Sequence, residues 1–346
     1  MMLVSAVKGS FLDGYVLMMA RPEESIRGPS RTILYRAAGA SFLMLLLTCI
    51  TGLLTSRMLR RPLTDLGIGL SALKNRDFSA RVHPGEIREL AVVAERFNQL
   101  LDNLQDLEMA RSVQETLWPA EGLSGPGWRV EGRCVTAAAL GGDFYDWFLL
   151  ADGRLVVAVG DVAGHGIPSA LVAAAAKVEL AMNTEFERDP ATILAAINAA
   201  FMKQVGRKRP MTFWLGLFDP LTSQLQYANA GHNLPLALVA GSAPRMLEGK
   251  GYPLGSRQKT AYVSGTIDLS RGGRIYAYSD GLIEAQHAAK GPFDYSRLEA
   301  GAVRTMSAGA PDAIASLFQE VQEWSGQSVP DDDQTLVILQ VEARND

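Results

Sequence analysis

Hydrophobic and polar positions give the 346-residue chain three rhythms in succession. Residues 1–32 carry short apolar runs, Leu3-Val4 and Gly14 to Ala20, broken by Pro22, Glu23, Glu24 and Pro29. They lack the order of basic segment, long apolar core and small-residue cleavage site that marks a signal peptide. The pattern predicts the remnant or last strand of an extracytoplasmic segment, with a poorly ordered tail as the alternative. Residues 37–56 then read AAGASFLMLLLTCITGLLTS without one charge. About 20 helical residues at ~1.5 Å each span roughly 30 Å, the apolar depth of a bilayer, so 33–56 is predicted to cross a membrane. Arg57, Arg60 and Arg61 follow and place the downstream side in the cytoplasm, although Arg27, Arg31 and Arg36 on the other side blunt that bias.

From Arg57 the rhythm turns helical. A first helix is expected from Arg57 to about Leu73 with Pro62 near its start, then a polar connector, Lys74 to Pro84. A second helix should begin near Gly85, with Glu86 and Glu89 in its first turns, favourable against the helix dipole. Leu90, Val93, Phe97, Leu100, Leu104 and Leu107 recur at steps of three and four. This seam predicts pairing with a second copy, an amphipathic helix packed on its own domain being the alternative. The helix should run on as a stalk over 108–120, stopping before Pro119, and the Gly- and Pro-rich stretch 119–127 ends it.

From Trp128 onward short β-prone runs alternate with helical ones. Strands are expected at about 128–137, 154–160, 211–218, 224–229, 234–240, 261–268, 274–279 and 335–342. Helices are expected from Pro168 to about Glu187, Pro190 to about Val205 and Pro311 to about Trp324, each with proline in its first turn. Antiparallel-looking runs with helices between groups predict an α+β sheet sandwich with helices outside.

Composition adds exclusions. A net charge of −4 argues against a nucleic-acid binder, which would show a basic stripe. Cys49 and Cys134 lie in different contexts and are not expected to pair, which fits a reducing compartment for most of the chain.

The candidate chemistry is acidic. Asp143 and Asp146 fall in a Gly-rich stretch read as a turn, and Asp161 ends the apolar run Leu155 to Gly160. Asp280 follows the run Arg274 to Ser279, and Asp331, Asp332 and Asp333 precede Thr335 to Leu339. Three apolar strands with Asp at one end suggest a shared centre for a hard cation, Mg²⁺ or Mn²⁺ rather than zinc. Carboxylates so gathered would repel unless divalent cations neutralised them, and a two-metal pocket suits phosphoester hydrolysis. No G-x-S-x-G, H-E-x-x-H or Walker pattern offers another chemistry.

Two resemblances follow. A membrane helix, a proline-bearing first helix, a connector, Gly85-Glu86 and Phe97-Asn98 together resemble a HAMP linker over 57–107. That implies a parallel four-helix homodimeric bundle that passes membrane-side motion inward. GGDFYD (141–146), DVAGHG (161–166), NAGHN (229–233), YSDGLIEA (278–285) and DDDQT (331–335), in this order, resemble the SpoIIE-like bacterial branch of the metal-dependent PPM Ser/Thr phosphatases. The resemblance implies an αββα sandwich phosphatase domain over 121–346, with two divalent cations, Mn²⁺ or Mg²⁺, between the sheets. By motif, Asp161 would bridge the two metals and the Val162 carbonyl would join one. Asp280 and Asp332 would ligate the other, and Asp143 would act on the first, directly or through water. The nucleophile would be a metal-bound water, with no covalent phosphoenzyme. Ala163 stands where the family often has Ser, and Gly273 where an Asp commonly precedes the strand; neither is a ligand. The phosphate-binding Arg of the eukaryotic branch has no counterpart fixed by a motif, Arg133 being one candidate.

Ordinary roles are expected for several neighbours: solvated turn residues for Asp146 and Asp333, structural turns for His165 and His232, and capping near the site for Glu284. The expected function is that of a phosphoserine/phosphothreonine protein phosphatase anchored in a bacterial inner membrane, with its catalytic domain in the cytoplasm. The resemblance implies a small STAS-domain antagonist in a partner-switching pathway as substrate. A catalytically inactive signalling module is the alternative. A nucleotide cyclase, suggested by the likeness of GGDFY to GGDEF, gives no reason for the acidic ends at 280 and 332.

Overall fold

In the computed structural model, which describes residues 2–8, 16–85 and 87–344, the uncharged run lies inside one long helix. A hairpin of β1 (Met2–Lys8) and β2 (Val16–Pro22) leads into α1 (Glu23–Lys74). The stretch Arg31–Lys74 has a mean hydropathy of 2.0 in its most apolar 18-residue window, and no residue of that window is buried by protein. Thr48, Thr51 and Thr55 turn their hydroxyls back onto the carbonyls of Met44, Leu47 and Thr51 at 2.8–2.9 Å. Those bonds satisfy the three hydroxyl donors within the helix, as an apolar medium requires.

The helix expected from Arg57 is a continuation of α1. Pro62 removes one amide donor but does not end the helix. Its ring is buried, and a Cβ on Gly85 would lie 3.4 Å from it. After the connector, α2 (Arg88–Leu117) begins three residues later than expected, with Glu89 in its first turn. Glu86 lies outside the described residues. Asn98 ties the connector down: its Oδ1 accepts from Val82 N–H at 2.9 Å and its Nδ2 donates to Val82 C=O at 2.8 Å. The predicted seam divides between two faces. Ala94 and Leu101 are buried and Phe97 half-buried within the chain, whereas Val93 and Leu100 stay 49% and 46% exposed.

The chain forms two units, Met1–Gln105 and Asp106–Asp346. In the second, strands and helices follow in the order β3 (Leu123–Gly125), β4 (Trp128–Val135), β5 (Asp143–Leu149), β6 (Leu155–Val162), α3 (Ile167–Phe186), α4 (Pro190–Gln204), β7 (Met211–Asp219), β8 (Gln224–Ala230) and β9 (Leu236–Val239). Then come β10 (Arg245–Met246), β11 (Gly265–Asp268), β12 (Arg271–Tyr278), α5 (Asp280–Ile283), β13 (Gln286–His287), β14 (Gly291–Pro292), α6 (Asp294–Arg304), α7 (Ala310–Ser325) and β15 (Gln334–Ala343). One sheet has the order β10-β9-β12-β15-β4-β3 and the other β11-β8-β7-β6-β5. Trp147, Val157, Trp214, Ile275 and Val337 fill the layer between them. α3 and α4 cover the five-stranded sheet through Ala176, Leu180, Ile193 and Phe201, and α6 and α7 cover the other through Leu298, Ile314 and Leu317. This is the expected αββα sandwich, preceded by a long apolar helix and a second helix. Each large apolar side chain so buried contributes roughly 1.5–3 kcal/mol.

One expectation fails where it matters most. Asp143 to Leu149, read as a turn, is a strand paired along its whole length with β6. Its first five residues, Asp143 to Trp147, are buried on both faces, so no polar–apolar alternation marks it.

Candidate functional site

The carboxylates lie in one region because four strand ends share one end of the sandwich. β5 and β6 are antiparallel, and Asp143 stands directly opposite Asp161 in their register. The pleat sends Tyr145 and Trp147, and hence Asp143, toward the layer between the sheets, while Phe144 faces α3. From the other sheet β12 ends beside the start of β15, which brings Ser279 and Asp280 next to Asp332, Asp333 and Thr335. Ser279 and Thr335, both fully buried, donate their hydroxyls to one oxygen of Asp143 at 2.7 and 2.6 Å, and Thr335 N–H donates to Ser279 Oγ at 2.9 Å.

These groups crowd like charge. Burial first, then Asp280, Asp332 and Asp333, push the Asp161 carboxyl up to about 7. Burial and Asp161 hold Asp143 well above the ordinary carboxylate range, against the two hydroxyl donors. Asp280 is raised by burial, then by Asp332 and the exposed Glu284. Asp332 itself is exposed.

The donor set suits a hard divalent cation. It is all oxygen, it carries excess negative charge, and a backbone cradle adjoins it. A Cβ on Gly142 would lie 2.7 Å from Val162 O, 2.9 Å from Gly164 O and 3.4 Å from Asp161 Oδ1. Only glycine lets the β5 backbone approach those oxygens. Among the described residues no three His, Cys, Asp or Glu side chains converge on one point. A cation held here would therefore draw on backbone carbonyl oxygens such as Val162 O as well as on carboxylates.

Neighbours expected to be solvated are buried. Asp333 accepts from Ala137 N–H at 2.8 Å through Oδ1 and from Gly142 N–H at 2.6 Å through Oδ2. It fixes the loop before Asp143. Asp146 is 5% exposed and pairs with Lys177 of α3 at 2.8 Å. His165 is exposed. His232 is buried, which lowers its pKa to about 4, and its Nδ1 lies 2.8 Å from Thr212 Oγ1. Asn229 clasps the His232 backbone from both sides, at 2.9 and 2.7 Å, so this turn is structural. Arg133 lies on the outer face of its sheet, over the Phe318 ring of α7 at 4.9 Å, whereas its neighbour Cys134 faces Asp143 and Thr335.

Sequence reasoning missed the clasp from α2. Gln114, 4% exposed, donates to Gly141 C=O at 2.8 Å and accepts from Gly141 N–H at 3.3 Å. Lys177 Nζ donates to Leu117 C=O at 2.5 Å as well as to Asp146, and Trp118 stacks on Tyr145 at 6.0 Å. A polar residue at a helix position where a seam would continue was the available signal.

Comparison with known proteins follows the same division. Residues 151–342 match the family model described as Stage II sporulation protein E (SpoIIE), and residues 54–106 match the HAMP domain. Protein IcfG of Synechocystis is 22% identical over 264 residues, 68% of this chain, and the chain spans only 42% of IcfG. The phosphoserine phosphatase RsbU of Bacillus subtilis is 25% identical over 235 residues, 68% of this chain and 69% of RsbU. Among solved structures, the SiaA-PP2C domain of Pseudomonas aeruginosa superposes with a TM-score of 0.61 at 23% identity, covering 69% of this chain and 96% of that domain.

Proposed function

Since the chain belongs to the SpoIIE family and carries a HAMP domain, we propose that it is a metal-dependent phosphoserine/phosphothreonine protein phosphatase of a partner-switching pathway. The observation that supports this reading is that Asp143, Asp161, Asp280 and Asp332 and the Val162 carbonyl lie at neighbouring strand ends on one end of the sandwich. In our assignment Asp161 and Val162 O, with Asp143 nearby, would hold one cation, and Asp280 and Asp332, with Asp161, would hold a second. Two divalent cations, Mn²⁺ or Mg²⁺, when bound supply a nucleophilic water at neutral pH and neutralise phosphoryl oxygens. Ser279 and Thr335 keep Asp143 oriented toward that site, and Asp333 holds the loop that carries it.

RsbU bears the name phosphoserine phosphatase, which favours a phosphoserine protein as substrate; a small STAS-domain antagonist is our more specific assignment. The apolar stretch of α1 anchors the chain in a bacterial inner membrane, with 121–346 in the cytoplasm and 1–32 on the outer side. Residues 57–107 are the HAMP linker, which pairs two copies, and the clasp of Gln114 on Gly141 carries its state to the loop before Asp143.

The test is Asp161→Asn in the full chain. It removes a carboxylate whose pKa is raised, so its loss should relieve repulsion and raise the melting temperature in EDTA. Mn²⁺-dependent hydrolysis of a phosphoserine protein should fall at least 10³-fold, and melting should no longer respond to Mn²⁺. Wild-type turnover in this variant would sink the assignment.

A further inference from the structure

We propose that Arg209 binds the phosphoryl group of the substrate, supplying the cation that none of the acidic motifs provides. The inference rests on the phosphatase reading above. β6 ends and β7 begins side by side, Val162 opposite Met211 and Asp161 opposite Thr212. Residues just before β7 therefore stand next to the loop that follows Asp161. Ala163 N–H donates to Pro210 C=O at 3.0 Å and fixes that neighbourhood. Arg209 crosses the loop, its Nη1 donating to Ala163 C=O at 3.2 Å and to the buried Ser169 Oγ at 3.0 Å. A Cβ on Gly164 would come within 2.9 Å of Nη1, so the guanidinium occupies the space that this glycine leaves.

Both contacts use one nitrogen. A guanidinium has five N–H donors in a planar fork, so the edge formed by Nη2 and Nε keeps its donors. That edge matches two oxygens of a phosphoryl group. Among the described residues Arg209 pairs with no carboxylate, although Asp161, two residues before Ala163, belongs to an acid-rich centre. A carbonyl and a hydroxyl hold it in place without neutralising it, which leaves its charge for an incoming dianion. Arg133 is excluded from this role by the pleat, which turns it toward α7. Arg207 and Lys208, exposed in the same turn, add positive charge at the approach.

The competing account is that Arg209 only clamps the loop. Calorimetric titration of the Mn²⁺-loaded full chain with inorganic phosphate separates the two. Arg209→Met should weaken phosphate binding about 10- to 100-fold, the scale of a charge-assisted pair. Arg209→Lys should fall between, and Mn²⁺ affinity should stay within twofold in both. On a phosphoprotein, KM should rise more than kcat falls. Phosphate affinity within twofold of wild type in Arg209→Met, or no phosphate binding by the wild-type protein, overturns the proposal. So does Ser169→Ala weakening phosphate as much as Arg209→Met, since that variant breaks the clamp and keeps the charge. A wild-type chain that binds phosphate but turns over no phosphoprotein would refute the phosphatase reading, and the titrations would still decide Arg209.

Discussion

Gly142→Ala is the sharpest test of the cradle. The added Cβ would sit 2.7 Å from Val162 O and 2.9 Å from Gly164 O. These fall short of an ordinary contact of about 3.4 Å by roughly 0.7 and 0.5 Å. Both neighbours are backbone oxygens, so the strain cannot be relieved by turning a side chain. β5 and the loop after Asp161 must separate by about half an ångström, and the Gly142 N–H bond to Asp333 at 2.6 Å must stretch with them. Metal–ligand distances tolerate only about ±0.2 Å. The displacement exceeds that, so Mn²⁺ affinity should fall at least tenfold. Overpacking of this size costs roughly 1–3 kcal/mol. The variant should therefore melt several degrees lower in EDTA and gain less from added Mn²⁺ than wild type does. Calorimetric Mn²⁺ titration and paired melting curves measure both effects. Unchanged Mn²⁺ affinity would mean that these oxygens do not belong to a metal site.

Two further outcomes are expected. Gln114→Ala removes two bonds to the Gly141 backbone from a buried position. It should cost roughly 1–3 kcal/mol and lower phosphatase activity at limiting Mn²⁺, and Gln114→Glu should do no better, because it cannot donate to the Gly141 carbonyl; activity and Mn²⁺ dependence like wild type in both would remove the clasp from the mechanism. On the proposed pairing of two copies, the wild-type chain should have the mass of a dimer by light scattering and Val93→Glu with Leu100→Glu that of a monomer, with melting within a few degrees, whereas Leu101→Ala, wholly buried within the chain, should lower the melting temperature; a monomeric wild type, or an unchanged mass in the double variant, would refute pairing through this face.

The sandwich was legible because most strands and helices carry local signals. β6, β7, β12 and β15 are long apolar runs, and α3, α4 and α7 begin with proline in the first turn. The candidate carboxylates stand out in the sequence because each lies at a strand end beside glycine or another turn residue. What escaped depends on partners far along the chain. β5 has no alternation, since Lys177 covers Asp146 from the helix side and the second sheet covers Asp143. Asp333 looks like a solvated turn residue until Ala137 and Gly142 arrive to bond it. α6 is only eleven residues long and opens without proline; its cap is Asp294 itself, at a φ of 65°, whose Oδ1 accepts from Ser296 N–H at 2.9 Å and Arg297 N–H at 3.2 Å. Arg209 follows from pairing β6 with β7, a long-range register that composition does not encode.

The bonds that shape the acidic centre also set when it can exist. Asp333 reaches Gly142 across 191 positions, and Thr335 reaches Asp143 across 192. Contacts so distant in sequence close late, because loop entropy must be overcome before they form. On the ribosome, β5 and β6 can pair long before β15 has been synthesised, but the centre cannot assemble until residue 335 has cleared the exit tunnel. The acidic centre is therefore completed in a single late step, and a chain interrupted in its last helix would lack β15, the strand that joins β12 to β4, and with it both one sheet and the centre.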